Sequence, residues 1–563
     1  MYLRTTRRKN ADGSTVEYYQ LAENRWDKDK GCAVARVVYN FGRADQLDRA
    51  ALLRLAHSIL RVFPAEEALA AEAEVRICDS WQYGGLYALD ALWHELGIDQ
   101  VLTQILKRER VRQPYERALF AMVANHALQP YSKLYTHEQW LREEVYFPGH
   151  ETLERNHLYE AMDFLERHKA DVEKAIYFRM ADLLNADVDL IFYDTTSLHC
   201  EIDEEDEGKS QGSKAAGAQE YPALRKRGKS KNGRGDAPQL VVGLAVTRDG
   251  MPVRSWVFPG NTNDTTTIEQ VKADLRGWKL GRCVFVGDAG MNSEENRRTL
   301  ALGGGKYILA AKMRGGDVVT KQVLTRPGRY QVVAGNLRVK EVLVGDGERR
   351  QRYVVCHNPA EATRQRKHRA QVLAELQAEL ATLQPPKPGQ KHSKRTCELI
   401  TTERYRAYVR ETKTGALRIS RKAVAAAEKY DGKWVVTSND DTLSAEDLAL
   451  AYKQLMRVEE CWRTMKSGLR MRPLFHWRPH RICAHVSLCV LSLLLERMAE
   501  SRCGDTWRNV RAQLNTVKVV EYQRSTARIR QTTDLRPAVA RLLKQLQVPP
   551  PPKLHDVRTE PSA

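Results

Sequence analysis

Long apolar runs are missing from this 563-residue chain. The longest mostly apolar stretch, Val486 to Leu495, is about half of what a helix needs to cross a bilayer, so no transmembrane segment is expected. The first ten residues are basic and no apolar stretch follows them, which argues against a secretory signal and for a cytoplasmic location. The ten cysteines are scattered singly, and the nearest pair, Cys483 and Cys489, lacks the spacing of a zinc knuckle. They read as reduced and structural. A phosphate loop is also missing: Gly303, Gly304, Gly305 and Lys306 lack the earlier glycine and the following Ser or Thr. Acidic residues are the scarcer charge, 71 against 90 Lys and Arg, leaving a formal net charge of +19.

That excess of cations calls for a polyanionic partner. No basic amphipathic helix beside an apolar anchor is evident, so nucleic acid is expected rather than a membrane surface. With 42% hydrophobic and 29% charged residues the chain should fold, and its length suggests three or four units. Residues 1–75 read as a small α+β unit, with strand-like pieces at Thr15–Leu21 and Ala33–Asn40 and a helix over Gln46–Val62. Residues 76–185 are helical in pattern, with Leu102, Ile105 and Leu106, then Leu119, Met122 and Val123, at helical spacing. The cluster Arg108, Arg110, Arg112 and Arg117 makes this a DNA-binding candidate, although no helix-turn-helix spacing stands out.

The texture changes at Val188–Leu198, a β-branched and aromatic run typical of a buried strand. Further strands are expected at Leu240–Val246, Val253–Phe258, Cys283–Val286 and Lys306–Ala311, with helices at Thr266–Leu275 and Ser293–Leu302. Three strands, a helix, a strand, a helix and a strand describe a mixed α/β sheet with flanking helices, resembling the ribonuclease-H-like fold. Residues 186–314 would form its first part. An insertion over residues 315–441 has strand-like pieces at Arg338–Val344 and Tyr353–Cys356 and a helix over Pro359–Leu383 stopped by Pro385 and Pro386. Residues 442–500 would complete the core. Residues 501–563 read as a basic helical region with an extended, disordered tail from Pro549. The acidic run Glu201–Glu207 and the Lys, Gly and Ser-rich segment after it read as a solvated mobile loop.

Three carboxylates stand out. Asp194 lies within a strand that is apolar on both faces, where a charge is costly unless it is paired or bound to metal. Asp288 follows Val284–Gly287, at the carboxyl end of a strand, where open α/β sheets commonly bind ligands. As a helix N-cap it would be outranked by Asn292 or Ser293. Glu459 falls in a helix expected from Ser444 to Lys466, seven residues from both Tyr452 and Lys466 and therefore in one row with them. A surface ladder of salt bridges is the alternative there, with Arg457 and Glu460 as its material. Hard divalent cations take oxygen ligands, and two of them about 3.5 to 4 Å apart suit phosphodiester chemistry.

The blocks Y-D-T-T-S, V-G-D-A-G-M and Y-K-Q-L-M-R-V-E-E-C-W-R-T-M-K resemble the catalytic blocks of DDE transposases of bacterial insertion sequences. They are most similar to the branch with the pattern Y-x2-R-x3-E-x6-K, which Tyr452, Glu459 and Lys466 fit. Leu455 stands at the Arg position, with Arg457 or Arg463 as candidates to supply that phosphate contact. The resemblance implies Asp194, Asp288 and Glu459 as ligands of two Mg²⁺ ions, Mn²⁺ substituting, with Tyr452 and Lys466 touching DNA. It also implies binding of terminal inverted repeats, strand cleavage, transfer into target DNA, and a homodimer or higher oligomer on DNA. The block Gly260–Asp264 resembles another recurring block of the branch, to which no role beyond a turn attaches. A nuclease that cuts without rejoining, or a silent DNA-binding relative, are the alternative readings.

The flanks are basic. Residues 361–422 carry 15 Lys and Arg against 6 Asp and Glu, and residues 463–544 carry 17 against 5. Phosphate contacts supply most non-specific affinity, so both regions are candidate DNA surfaces. Phe475, His476 and Trp477, between Arg472 and Arg478, would either stack an unpaired base or pack the following helix.

Overall fold

A computed structural model describes the chain except for residues 11–13, 63–74, 184–188, 209, 212–219, 232, 279, 281–282, 315–317, 348–349, 384–392, 413–414, 525–526 and 560–563. Val188, Pro385 and Pro386, named above, lie outside the described residues. The chain divides into two units: residues 1–79 with 520–531 and 554–563, and residues 80–519 with 532–553.

The first unit opens with a three-stranded antiparallel meander, Tyr2–Lys9, Thr15–Asp27 and Cys32–Arg43, followed by the helix Arg49–Leu60. Two of these strands are those expected. The Tyr2–Lys9 strand has no hydrophobic alternation because almost all of it is exposed, and its pairing from Tyr2 with Ala22 to Lys9 with Thr15 defines it instead. A four-stranded sheet takes Leu554–Thr559, Ala527–Thr532, Lys518–Arg524 and Val75–Gln82 in that order. The C-terminal region read as helical and disordered thus supplies three strands.

In the second unit a helical layer precedes the sheet: α1 (Gly84–Glu95), α2 (Ile98–Arg108), α3 (Tyr115–Leu128) and α4 (Arg155–Leu183). Then follow β1 (Leu190–His199), β2 (Gln239–Val246), β3 (Pro252–Pro259), α5 (Ile268–Arg276), β4 (Val284–Gly287), α6 (Glu294–Ala301) and β5 (Lys306–Ala310). Strands β6 (Gln331–Ala334), β7 (Leu337–Val344), β8 (Gln351–His357) and β9 (Lys433–Ser438) come next, then α7 (Ala445–Lys453), α8 (Met456–Arg463) and α9 (Pro479–Cys503). The nine strands form one sheet in the order β6-β7-β8-β9-β5-β4-β1-β2-β3. β1 runs parallel to β4 and β4 parallel to β5, while β2 and β3 extend the sheet antiparallel from β1. β1 to β5 are the mixed α/β sheet that the element order led us to expect, and β6 to β9, from the segment read as an insertion, extend that same sheet because β9 pairs antiparallel with β5.

Alternation along β1 sorts its side chains between two cores. Ile191 and Tyr193 join Val241, Phe285 and Leu309 under α3, α4 and α9. Leu190 and Phe192 join Val242, Val286 and Ile308 against Leu448 of α7 and Val458 and Trp462 of α8. Each fully buried Leu or Phe contributes about 1.5–3 kcal/mol of transfer free energy, so one register is strongly favoured. Helix α9 has the length and hydropathy of a membrane span, yet 94% of its apolar window is buried within this unit, which makes it a core helix.

Candidate active site

β1 and β4 lie side by side, with Tyr193 opposite Gly287. The next residue along the chain from each is an aspartate, Asp194 and Asp288, so parallel pairing sets the two side by side at the carboxyl end of β4. Asp194 pairs in register with Leu244 of β2 and belongs to the face covered by α7 and α8. It is half-buried, and its burial pushes the carboxyl up to about 6. Lys231 and the Thr195 amide oppose that rise, while Asp288 and Asp264 add to it. Asp288 is exposed and caps nothing with its side chain; Ser293 caps α6 by accepting from the Asn296 amide at 3.1 Å.

The helix expected from Ser444 to Lys466 is broken into three pieces. Ser444 and Asp447 form the capping box that starts α7, and α7 ends at Lys453. Leu455 then donates its amide to Tyr452 O and Val458 donates to Leu455 O, the tight pattern of a 3₁₀ turn. α8 carries Glu459 in its first turn, and a wide π turn, Thr464–Gly468, carries Lys466. A tight turn advances the chain faster around the axis than an α-turn and a π turn more slowly, so a simple seven-residue row does not describe Tyr452, Glu459 and Lys466. Leu455 itself is 7% exposed and packs in the core beneath the helices.

Tyr452 is where the parts meet. Its hydroxyl donates to Asp288 Oδ1 at 3.5 Å, and burial, then Asp288, Glu459 and Asp194, raise its phenol far above the ordinary value. All three carboxylates are thus near enough to act on this one phenol. Glu459 is exposed at the rim. Lys466 is half-buried; burial and Arg472 lower its ammonium to about 8 against the pull of Asp194, with Lys231 also lowering it. Arg463 is exposed and forms no ion pair among the described residues. Arg457 is not brought to the carboxylates: it pairs with Glu460 at 3.1 Å and lies beside the Gly250 turn between β2 and β3, near the amino end of β1.

Three residues beside the aspartates were not singled out by sequence reasoning. Asp264, from the Gly260–Asp264 block, accepts from Thr195 Oγ1 at 2.5 Å and pairs with Lys231 Nζ at 3.0 Å. Lys231 also donates to Thr195 O at 2.9 Å and Thr195 Oγ1 at 2.7 Å. The block itself was the only signal. The acidic run Glu201–Glu207 is an ion-pair lattice: Asp206 holds Arg225, and Glu205 holds Lys226 and Arg227. Phe475 and Trp477 are 75% and 70% exposed rather than packed on α9, and Arg225 stands over the Trp477 ring at 5.3 Å. No disulfide forms among the described residues.

Hard oxygen donors, one of them buried at a cost, fit a divalent cation and suit neither a soft metal nor an organic cofactor. Comparison with known proteins agrees. The family model described as a transposase DDE domain matches residues 210–495, which hold Asp264, Asp288 and Glu459 and begin after Asp194. The model of the N-terminal domain of IS1634 family transposases matches residues 3–69. The comparison with curated proteins returns no match. Among solved structures, a cryo-EM structure of the piggyBac transposase synaptic complex with hairpin DNA is similar at 7% identity and a TM-score of 0.33, over 71% of this chain and 70% of that one. With a little over half of its length matched by the DDE domain model, the chain belongs to the DDE transposase family and is an enzyme of DNA cleavage and strand transfer.

Proposed function

We propose that Asp194, Asp288 and Glu459 hold two Mg²⁺ ions, with Mn²⁺ able to substitute, beside the carboxyl end of β4. Dependence on a divalent metal is a property of the family. What supports the assignment to these residues is the Tyr452 phenol, which donates to Asp288 and is raised by Glu459 and Asp194 as well. Ions held there would activate the attacking oxygen and stabilise the leaving one. Around them Tyr452 orients Asp288 and presents a hydroxyl to the DNA, while Lys466 neutralises phosphate charge from the π turn. Arg463, exposed one turn beyond Glu459, contacts the backbone further out. The DNA is the terminal inverted repeats of the mobile element and then its target, bound by a homodimer or higher oligomer in the cytoplasm.

The test is a set of variants. Asp194→Asn, Asp288→Asn and Glu459→Gln each abolish Mg²⁺-dependent nicking of a duplex carrying an element end, while gel-shift affinity for that duplex stays within about threefold of wild type. Normal cleavage by any one variant would remove that residue from the mechanism. The element end is found by sequencing the DNA that flanks the gene.

A further inference from the structure

The connection from β1 to β2 is rich in cations, and most of those among the described residues are held in ion pairs. Arg225 pairs with Asp206, Lys226 and Arg227 with Glu205, and Arg234 with Glu201 and Asp236. Lys231 leaves this lattice and reaches the residue after Asp194. Its ammonium has three acceptors: Thr195 O, Thr195 Oγ1 and Asp264 Oδ2. Thr195 faces away from Asp194 by strand alternation, but β4 ends opposite Tyr193, so no strand separates the two sides of the sheet at the level of Thr195 on that flank. Asp264 closes the opening from the face opposite α8. A Cβ on Gly290, two residues past Asp288, would lie 3.1 Å from Asp264 Oδ2. The Lys466 ammonium senses both Asp194 and Lys231, so the two lysines lie within electrostatic reach of each other and of that carboxylate.

We propose that Lys231 is a catalytic residue whose ammonium contacts the scissile phosphate, with Thr195 and Asp264 as the residues that position it. This rests on the reading that Asp194 and Asp288 line the reacting site. A phosphodiester under attack spreads negative charge over its oxygens, and a cation already fixed beside it stabilises that charge without reorganising. Lysine acts as a compact point charge, so no bidentate geometry is needed. The side chain is 39% exposed, which leaves an approach for DNA. Thr195 Oγ1 already donates to Asp264, so the Lys231 bond to that hydroxyl is the one exchanged for a phosphate oxygen. The turn that opens α8 offers no such cation, because Leu455 is buried in the core.

A protein–DNA double-mutant cycle tests this on the full chain, with Ca²⁺ in place of Mg²⁺ and a duplex of one element end bearing either the native or an uncharged methylphosphonate linkage at the scissile position. Lys231→Met should weaken binding of the native duplex roughly tenfold, the scale of one charged hydrogen bond, and should cost nothing further on the methylphosphonate duplex. Lys231→Arg, which keeps the charge, should stay within about threefold of wild type on both. Asp264→Asn combined with Lys231→Met should bind no worse than Lys231→Met alone. An equal loss for Lys231→Met on both duplexes overturns the phosphate contact, and additive losses with Asp264→Asn overturn the positioning role. The metal reading is checked separately by Mn²⁺ electron paramagnetic resonance: Asp194→Asn that still binds Mn²⁺ normally sinks that reading whatever the cycle shows.

Discussion

Burial, reinforced by Asp288 and Asp264 and opposed by Lys231 and the Thr195 amide, holds the Asp194 carboxyl up at about 6. An unfolded aspartate titrates near about 3.9, so between these values the unfolded chain gives up its proton while the folded one keeps it. The sign follows: the folded state is penalised as pH rises through this window, and the penalty is fully present above pH 6. On the order of 1–3 kcal/mol is held in this way. Asp194→Asn should therefore raise the melting temperature by about 1–2 °C at pH 7.5 in EDTA and leave it unchanged near pH 4. Adding Mg²⁺ should stabilise the wild type and not the variant. Thermal scans at the two pH values check it, and an Asp194→Asn protein less stable than wild type at pH 7.5 would contradict the account. Asp194 was legible because both faces of its strand are apolar. Lys231 was not, since one lysine among several in a Lys and Gly-rich loop carries no pattern, and Asp264 meets Thr195 only through a contact spanning 69 residues.

At the scale of the element, the sheet was readable and the helix break was not. Strands covered on both faces announce themselves as β-branched runs, and β1 to β5 fall within a residue or two of their expected limits. Gln454 and Leu455 are good helix formers, so propensity gives no hint of the tight turn between α7 and α8; packing of Leu455 into the core decides it. The departure at Leu455 from the Y-x2-R-x3-E-x6-K pattern thus has a structural meaning, because the position points inward in this chain. Leu455→Arg should not restore a phosphate contact. It should bury a guanidinium and lower the free energy of unfolding by roughly 3–5 kcal/mol, with no gain in cleavage. Urea denaturation and a nicking assay on the same preparation check this, and a stable, faster variant would show that the turn rearranges. The Gly260–Asp264 block has a similar logic: a Cβ on Gly260 would lie 2.0 Å from Gln239 O and 2.2 Å from Lys226 O, so only glycine lets this segment pass and deliver Asp264.

Across the whole molecule, an excess of 19 positive charges is set against a site built of negative ones. The cations bring DNA in and the carboxylates require a metal, so the two are complementary rather than opposed. The N-terminal unit and the catalytic unit match separate transposase domain models, and the proposed site requires the catalytic unit to close sequence gaps of 94 and 171 residues and gather Asp194, Asp288 and Glu459. That closure is the central claim. The measurement that tests it most directly is cleavage of the full chain by Fe²⁺ with ascorbate and peroxide, in which an iron ion bound in the Mg²⁺ site cuts the backbone around its ligands. The expected result is three cuts, near residues 194, 288 and 459, all suppressed by excess Mg²⁺. Cuts near 194 and 288 with none near 459 would contradict it.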